Sequence, residues 1–390
     1  MLCEERYEQI YKNIPENTAF CPYRLCPLGA HTDHNSGKIL GLAIDKGIHI
    51  AYSAQENGAV ELSSVQFEKR AGWFVGSVPE TRVGDWADYL RGATAALKRR
   101  HPLNAGIRGV IDGGLPIGGL SSSAAVIIAF LTALCDVNNI ELTDEELILT
   151  ALSAENDYVG VSCGKLDQSC EVYSKKDRLL YLDIMDGSYE LIEINPKMKP
   201  YKIAVLFSGV ERTLAGSKYN MRVDECRSAA YALKAYAGME YGKFSETCLR
   251  EVPREVFEKY GERLPEAWRR RALHWYTEVE RVQKGALAWR NGDIDEFGRL
   301  CFESGKSSIY NWETGSPELK KLYEIMTETD GVYGGRFSGA GFKGCCMAFI
   351  DPSFEEKIKE KVEREYLNEF PALKGKYSFC ICESADGVGK

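Results

Sequence analysis

Residues 115–125 read Leu-Pro-Ile-Gly-Gly-Leu-Ser-Ser-Ser-Ala-Ala, and they join an apolar strand pattern to a strongly apolar helical pattern. The paired glycines let the backbone approach a ligand closely, and the three serines supply hydroxyl groups and helix caps. The following helix directs its free N–H groups and its positive end at this loop, which predicts an anion-binding site. A serine-capped buried helix after a glycine turn has the same local pattern. The segment lacks the Gly-Lys-Ser/Thr ending of a Walker motif.

The composition of the whole chain is that of a globular protein. Its 390 residues, 44% hydrophobic and 27% charged, are enough for two domains of ordinary size. The formal net charge of -8 argues against nucleic acid or an anionic membrane as a partner. The charged residues 1–6 do not resemble a signal peptide, and no apolar run approaches the roughly 18 residues of a membrane span, so we expect a cytoplasmic protein. Thirteen scattered cysteines favour neither a disulfide framework nor a zinc site.

The hydrophobic pattern begins with strands. Residues 39–51 and 58–65 alternate or run apolar with β-branched residues, and Asn57-Gly58 predicts a two-residue hairpin turn between them. Residues 181–202 alternate short strand patterns with Asp/Gly and Asn/Pro turns. The first part of the chain is therefore predicted to be rich in β-structure.

Helical periodicity interrupts these strands. Apolar residues at helical spacing predict helices over residues 86–98 and 124–135. A third helix is predicted over residues 145–158, with Thr143 as its cap and Glu146 completing a capping box.

A domain break is predicted near residues 196–205. An N-terminal α+β domain would cover residues 1–200 and a C-terminal domain residues 201–390. The second domain would be mostly helical, with a closing sheet from residues 331–350 and 377–382.

Three more segments are dense in polar residues or glycines. Residues 21–35 read CPYRLCPLGAHTDHN, and residues 334–346 read GGRFSGAGFKGCC, whose glycines would let a tight loop lie against a ligand. Residues 153–168 contain Glu155 and Asp167. Taken alone, these two carboxylates are most simply a solvated helix residue and a helix N-cap.

Together the four segments resemble the GHMP family of small-molecule kinases and, within it, the galactokinases. The string GLSSSAA at residues 119–125 matches the nucleotide-binding motif of that family without a gap. Residues 21–35 are similar to the galactokinase pattern P-G-R-x-N-L-I-G-E-H-T-D-Y-N, and residues 334–346 to G-A-R-x-T-G-A-G-F-G-G-C. The likeness extends to residues 210–226 and 274–319. It implies the α+β GHMP kinase fold: an N-terminal domain like ribosomal protein S5 domain 2, a C-terminal ferredoxin-like α+β domain, and the active site between them.

The resemblance implies an ATP-dependent kinase with Mg2+ as cofactor. Residues 153–168 are similar to the galactokinase pattern A-E-N/H-x-F-x-G-x-x-C-G-I-M-D-Q, in which the Glu binds magnesium and the Asp is the catalytic base. The implied roles are a base at Asp167, a supporting cation at Arg24, and magnesium ligands at Ser123 and Glu155. Such a reaction needs a carboxylate to take the hydroxyl proton, and Mg2+ prefers hard oxygen ligands. The implied ATP-binding loop is Ile117, Gly118, Gly119, Leu120, Ser121, Ser122 and Ser123.

The same resemblance implies the sugar-binding residues Ala30, His31, Thr32, Asp33, Gly164 and Tyr219. Galactokinases have a glutamate at the position of Ala30, near the C6 hydroxyl of the sugar, and usually a histidine at the position of Gly305. Two carboxylates about 4 Å apart in a partly dry site repel by on the order of several kcal/mol, so the missing glutamate would admit a sugar with a C6 carboxylate. The segment is also similar to that of plant galacturonokinases, S-P-Y-R-I-C-P-L-G-A-H-x-D-H. We therefore expect phosphorylation of D-galacturonate to galacturonate 1-phosphate.

The group that receives this carboxylate is open at this point: Lys165 is one candidate, and Tyr23, His31 and Thr32 are alternatives. A galactokinase, or a kinase of arabinose or N-acetylgalactosamine, is the nearest competing interpretation. A non-catalytic sugar and ATP sensor is disfavoured because the residues that catalysis requires are all present. The expected partners are ATP and a sugar or uronic acid, without nucleic acid or membrane, in a monomer or weak homo-oligomer.

Overall fold

The computed structural model describes residues 3–116, 118–210 and 217–389, without the side chain of Ser217. Ile117, predicted to bind ATP, lies outside the described residues. The strands are β1 (Asn17–Leu28), β2 (Lys38–Gln55), β3 (Ala59–Ser64), β4 (Ala71–Phe74), β5 (Gly106–Gly113), β6 (Arg178–Asp183), β7 (Tyr189–Glu193), β8 (Lys202–Phe207), β9 (Val332–Phe337), β10 (Cys345–Ile350), β11 (Ser378–Cys382) and β12 (Ser384–Ala385). The helices are α1 (Cys3–Tyr11), α2 (Asp88–Lys98), α3 (Ser122–Val137), α4 (Asp144–Ser153), α5 (Leu166–Tyr173), α6 (Ser217–Ala237), α7 (Arg254–Tyr260), α8 (Glu266–Asn291), α9 (Ile294–Tyr310), α10 (Pro317–Thr327) and α11 (Glu355–Glu369).

The first sheet is built around the long strand β2. Its strand order is β4-β3-β5-β2-β6-β7, and β1 and β12 also pair with β2. One edge of β2 pairs with β6 through residues 38–41, with β12 through 43–44 and with β5 through 48–55. β1 covers the other edge, and its second half is buried without interruption. Helix α3 packs against this sheet and is apolar on nearly every side, as its buried position requires.

The last described residues complete this sheet and hold helix α5. Ser384 and Ala385 pair with Ile44 and Ala43 of β2. The backbone N–H groups of residues 387–389 then donate to carbonyl oxygens of Ser174, Glu171 and Val172 at 2.7 to 3.0 Å. The C-terminal end of α5 is therefore supported by a segment from the far end of the chain.

The second sheet has the order β11-β8-β10-β9, with antiparallel pairing throughout. Helices α10 and α11 cover one face with the buried residues Leu319, Leu322, Ile325, Ile358, Val362 and Tyr366. Helix α9 lies directly on β9, because Gly298 and Gly334 let the two backbones touch: a Cβ added at Gly334 would lie 2.1 Å from the carbonyl oxygen of Gly298. Helix α8 packs closely on the end of β1, where a Cβ added at Gly285 would lie 2.3 Å from Cδ1 of the Leu28 side chain.

The predicted hairpin between residues 39–51 and 58–65 is wrong. The turn itself forms, since Gly58 has a φ of 75° and its N–H donates to the Gln55 carbonyl at 3.0 Å. However, β5 pairs with both strands and lies between them. The buried residues Ile107, Val110 and Ile111 of β5 take the central position, so apolar packing outweighs the local preference for a hairpin.

The helix predictions agree with the structure to within a few residues. The capping box is confirmed: Thr143 accepts from the Glu146 N–H, and the Glu146 side chain accepts from the Thr143 N–H. Helix α4 ends at Ser153, and the chain continues as a π-helical segment, Ala154–Val159.

Among the described residues, no helix combines the length and the apolar character that a membrane crossing requires.

Candidate active site

Arg24 and Asp167 form an ion pair at the centre of the site. Arg24 comes from β1 and Asp167 from the first turn of α5, and Nε of the arginine lies 2.7 Å from Oδ1 of the aspartate. Burial alone would lower the pKa of Arg24, but the charge of Asp167 and the hydrogen bond to it raise the pKa above its usual value. The arginine side chain is 4% exposed and that of the aspartate 29%, so the carboxylate faces open space with a fixed cation behind it.

The predicted phosphate loop is tied to this pair. The hydroxyl of Ser121 donates to Oδ2 of Asp167, and Nη1 of Arg24 donates to the carbonyl oxygen of Gly119 at 3.3 Å. Ser121 is the N-cap of α3, yet its hydroxyl serves the aspartate instead of the helix. Its φ of 57° is unusual for a residue other than glycine and marks a strained backbone. Both oxygens of the Asp167 carboxylate are therefore held by neighbouring groups.

The glycine-rich segment after β9 closes over the phosphate loop. A Cβ added at Gly344 would lie 2.5 Å from the carbonyl carbon of Gly118, and one added at Gly339 would lie 2.9 Å from the Gly119 carbonyl oxygen. Both Gly339 and Gly344 have positive φ angles, of 65° and 103°. Only glycine permits this close backbone contact, which joins the two motifs into one surface.

Glu155 and Ser123 are the predicted magnesium ligands. Glu155 lies in the π-helical segment, a geometry often associated with functional sites, and is 4% exposed. Its Oε2 accepts a hydrogen bond from Nε2 of Gln168 at 2.5 Å. Because Gln168 directly follows Asp167, this bond holds Glu155 close to the Arg24–Asp167 pair. Ser123 is half-buried in the first turn of α3. No group of three or more Asp, Glu, His or Cys side chains in the described part of the chain could hold a metal on its own.

The loop after β1 has an unusual backbone. Gly29 and His31 have φ angles of 93° and 64°, and Asp33–Asn35 form one turn of 3-10 helix. The hydroxyl of Thr32 donates to the Gly29 carbonyl at 2.7 Å, and the residue is fully buried. Thr32 therefore stabilises the loop with its side chain.

Asp33 lies against the segment that leads to Asp167. A Cβ added at Gly164 would lie 2.8 Å from Oδ2 of Asp33, so only glycine fits at that position without a shift. Burial alone would raise the pKa of Asp33, but the neighbouring His34 and the backbone N–H of Leu166 lower it. Burial raises the pKa of the nearby Tyr219 hydroxyl, and the charge of Asp33 adds to this. An ionised acceptor and a neutral phenol thus face the same space.

Helix α8 holds the backbone of this loop from the other side. The N–H of Gly29 donates to Oε1 of Glu278 at 2.8 Å, and Nε2 of His274 lies 3.1 Å from the carbonyl oxygen of Ala30. Residues four apart lie on one face of a helix, so His274 and Glu278 reach adjacent peptide groups. The methyl group of Ala30 belongs to an apolar cluster with Cys26, Ile39, Leu166, Cys170, Leu180, Leu182 and Ile184.

Glu278 is fully buried but is surrounded by cations. Burial alone would raise its pKa, yet Arg281 and Arg336 lower it to about 2. Nη2 of Arg281 is 2.7 Å from Oε2, and Nη1 of Arg336 is 3.4 Å from Oε1. The charge that orients Gly29 is thus present at all ordinary pH values.

Comparison with known proteins then identifies the family. The sequence matches the galactokinase galactose-binding signature over residues 5–54, the GHMP kinases N terminal domain over 88–175 and the GHMP kinases C terminal region over 284–368. It is 38% identical to a galacturonokinase of Arabidopsis thaliana, over 94% of this chain and 92% of the relative. The chain belongs to the GHMP kinase family.

Two further comparisons place this GHMP kinase among the galactokinase-like members. A galactokinase of Roseiflexus sp. (strain RS-1) is 31% identical over 99% of this chain and 96% of its own length. The crystal structure of Lactococcus lactis galactokinase complexed with galactose superimposes with a TM-score of 0.88, at 26% identity, over 98% of this chain and 97% of that one. The predicted α+β GHMP kinase fold is confirmed, and the protein is an ATP-dependent, galactokinase-like sugar kinase.

The structure separates the four residues suggested as carboxylate ligands in this GHMP kinase. The ammonium of Lys165 reaches the turn after β6, where a Cβ added at Gly187 would lie 3.2 Å from Nζ. The hydroxyl of Tyr23 is directed at Gly113 of β5, and the residue is 2% exposed. The hydroxyl of Thr32 already donates to the Gly29 carbonyl oxygen within the loop. His31 lies in the same loop as Thr32, and its buried ring nitrogen Nε2 has no partner among the described residues.

Sequence reasoning missed two residues of this GHMP kinase site, His274 and Glu278. Both lie far from the motifs along the chain, and both are fully buried in the structure. The signal that could have indicated them is their spacing of four residues in a region predicted to be mostly helical, which puts both polar side chains on one helix face.

Proposed function

We propose that this kinase transfers the γ-phosphoryl group of ATP to the anomeric hydroxyl of D-galacturonate, giving galacturonate 1-phosphate and ADP. The observation that carries the proposal is Ala30, an apolar residue where galactokinases have a carboxylate. The similarity to the Arabidopsis galacturonokinase supports it. A carboxylate at this position would repel a uronate by on the order of several kcal/mol at a separation of about 4 Å.

The geometry around Asp167 suits the chemical step. The anomeric oxygen attacks the γ-phosphorus, the bond from that phosphorus to the β–γ bridging oxygen breaks, and Asp167 accepts the hydroxyl proton. Arg24 and Ser121 hold the two carboxylate oxygens, so the acceptor is oriented before the sugar arrives. Arg24 also places positive charge where negative charge develops on the transferring group.

The donors present fit a magnesium ion that enters with ATP. Glu155 and Ser123 would hold it, with the remaining positions filled by phosphate oxygens and water, as Mg2+ prefers. When bound, it would neutralise phosphate charge. The residues of the phosphate loop, from Gly118 to Ser123, would bind the phosphates through backbone N–H groups and the N-terminal end of α3.

The sugar would lie between Asp33, Gly164 and Tyr219. Asp33 is positioned as an ionised acceptor for ring hydroxyl groups, and Tyr219 as a neutral donor. His31 would lie toward C6, next to Ala30. This arrangement keeps the proposed contacts to the ring hydroxyl groups of a galacto-configured sugar, and it differs from that of galactokinases at the C6 end.

Initial rates with galacturonate, galactose and L-arabinose test the proposal directly. We expect the highest kcat/KM for galacturonate, and a higher value for either neutral sugar would show that the proposed substrate is wrong. Ala30→Glu should then lower kcat/KM for galacturonate at least tenfold more than for galactose, because it adds the repelling charge. Ala30→Gln is the matched control, since it adds the same volume without charge and should affect both sugars alike.

Galactose is the second candidate substrate. The match to the galactose-binding signature and the likeness to a galactokinase solved with galactose both favour it. Arabinose and N-acetylgalactosamine are compatible with Ala30 as well. The geometry of Arg24 and Asp167 argues against a sensor without activity, and release of ADP with any of these sugars excludes that alternative.

A further inference from the structure

The loop after β1, residues 29–37, is called the sugar loop here because of its proposed role. Five aromatic rings meet beside it, and we call them the ring cluster: His31, His34, Tyr219, His274 and Trp312. The His31 ring is stacked on Trp312, with centroids 4.8 Å apart and planes 7° from parallel. The His34 ring lies 5.4 Å from Trp312 and 6.1 Å from Tyr219, and the His274 ring lies 5.8 Å from His31. Trp312 touches all four other rings and is the centre of the cluster.

The cluster contains buried nitrogen atoms without hydrogen-bond partners. Among the described residues, this holds for Nε2 of His31, both ring nitrogens of His34, and Nε1 of Trp312. Oδ1 of Asp33 lies 3.8 Å from Nδ1 of His34, which is too far for a hydrogen bond. His31 is 5% exposed and Trp312 is fully buried. In native proteins nearly all buried polar groups have hydrogen-bond partners. Several buried nitrogen atoms without partners, close together beside the sugar loop, therefore indicate a ligand site.

The electrostatic environment favours an anion. Burial lowers the pKa of His31 well below its usual value, and the nearby His274 ring and the cations Arg336 and Arg24 lower it further. The His31 ring is therefore neutral and keeps one N–H donor, in a positive potential. Four carboxylates lie nearby. Asp33 is beside His34, while Glu278, Glu313 and Asp167 are each paired with at least one arginine.

We infer that His31, His34 and the indole N–H of Trp312 form the subsite for the C6 carboxylate of a uronic acid, an inference that rests on the proposed function. Ala30 removes the competing carboxylate, and the ring cluster supplies donors in its place. The stack of His31 on Trp312 fixes the imidazole, so its donor is oriented before the ligand binds. Neutral N–H donors in a dry pocket suit a carboxylate, because hydrogen bonds to a charged group are stronger than those to a neutral hydroxyl.

Trp312→Phe tests the subsite, because it keeps the ring that stacks on His31 and removes only the N–H donor and part of the indole. We expect KM for galacturonate to rise about 10- to 150-fold, the range for one hydrogen bond to a charged group, with kcat nearly unchanged. KM for galactose should rise by no more than about 2- to 13-fold, the range for one hydrogen bond to a neutral group, so the loss should be larger for galacturonate. His34→Phe should give the same selective loss and covers the case in which the tryptophan variant does not fold.

The matched control is Trp275→Phe. Trp275 is also a buried tryptophan with an unpartnered Nε1, 5% exposed, but its ring contacts Tyr276 and lies outside the ring cluster. This variant should leave both KM values unchanged. The subsite is wrong if KM rises equally for both sugars, or if KM for galacturonate is unchanged in both Trp312→Phe and His34→Phe. Either outcome would leave the wild-type preference for galacturonate intact. A wild-type enzyme that fails to phosphorylate galacturonate would overturn the proposed function and the subsite together.

Discussion

Gly164→Ala should disable sugar binding through a defined steric shift. The added Cβ would lie 2.6 Å from the carbonyl carbon of Asp33 and 2.8 Å from its Oδ2. Ordinary contact begins near 3.4 Å, so Asp33 or the Gly164 segment must move by about 0.8 Å. The backbone of Gly164 does not have a positive φ, so strain is not the cause of any effect. Because a 1 Å misplacement of a positioning group can reduce activity by about 100-fold, we expect kcat/KM for the sugar to fall by roughly that factor.

Steady-state kinetics with varied sugar and with varied ATP are the assay. The loss should appear mainly in KM for the sugar, and KM for ATP should change little, because the contact of Gly164 is with the sugar loop. Gly242→Ala is the matched control, since a Cβ there meets nothing within 4 Å. Thermal unfolding of both variants shows whether they fold. A folded Gly164→Ala enzyme with kcat/KM within threefold of the wild type would refute the steric reasoning and the placement of the sugar beside Asp33.

Two buried carboxyl groups lead to opposite pH effects on stability. Burial raises the pKa of Glu171 well above 4.5, and neither oxygen has a partner among the described residues, so the native state keeps a proton that the unfolded chain releases. Above pH 4.5 the retained proton should lower the free energy of unfolding by about 1.4 kcal/mol per pH unit, until Glu171 ionises in the native state. Urea unfolding at several pH values should show this decline in the wild type and not in Glu171→Gln. If the free energy of unfolding falls in parallel in the two proteins, the reasoning about Glu171 is wrong. Arg281 and Arg336 outweigh burial at Glu278 and lower its pKa to about 2, so its stabilising charge acts above pH 4.5 and is lost as the pH falls toward 2. Glu278→Gln should lower the free energy of unfolding by about 3 to 5 kcal/mol at neutral pH, and this difference from the wild type should shrink in acid. A difference that does not depend on pH would refute the role of the Glu278 charge.

Local features of this chain could be predicted from sequence because their causes lie within a few residues. The capping box of Thr143 and Glu146 needs only two residues three positions apart, and the structure has it. The phosphate loop likewise depends on adjacent glycines and serines at the start of an apolar helix. The roles assigned to Arg24 and Asp167 came from family resemblance, and the structure brings these residues, 143 positions apart, to 2.7 Å.

Features that depend on distant packing could not be predicted in this way. The turn at Gly58 forms as expected, but the position of β5 between its two strands depends on burial across the whole sheet. The bond from Ser121 to Asp167 requires a strained N-cap that local rules would not choose. The contacts of Glu278 with Gly29 and of Trp312 with His31 each join residues more than 240 positions apart, and no local pattern links the motif residues Gly29 and His31 to these partners.

The strand β12 and the segment after it have a consequence for the order in which this protein is made. Residues 387–389 bond to the end of α5, and Lys175 donates to the carbonyl oxygen of Gly389 across 214 positions. A ribosome releases the N-terminal part of a chain first, and domains usually fold in that order. Here the helix that carries Asp167 is held in part by residues that emerge long after the helix itself. In the nascent kinase, the C-terminal end of α5 therefore lacks these hydrogen bonds until residues 384–389 have been synthesised, more than 200 positions after the helix itself.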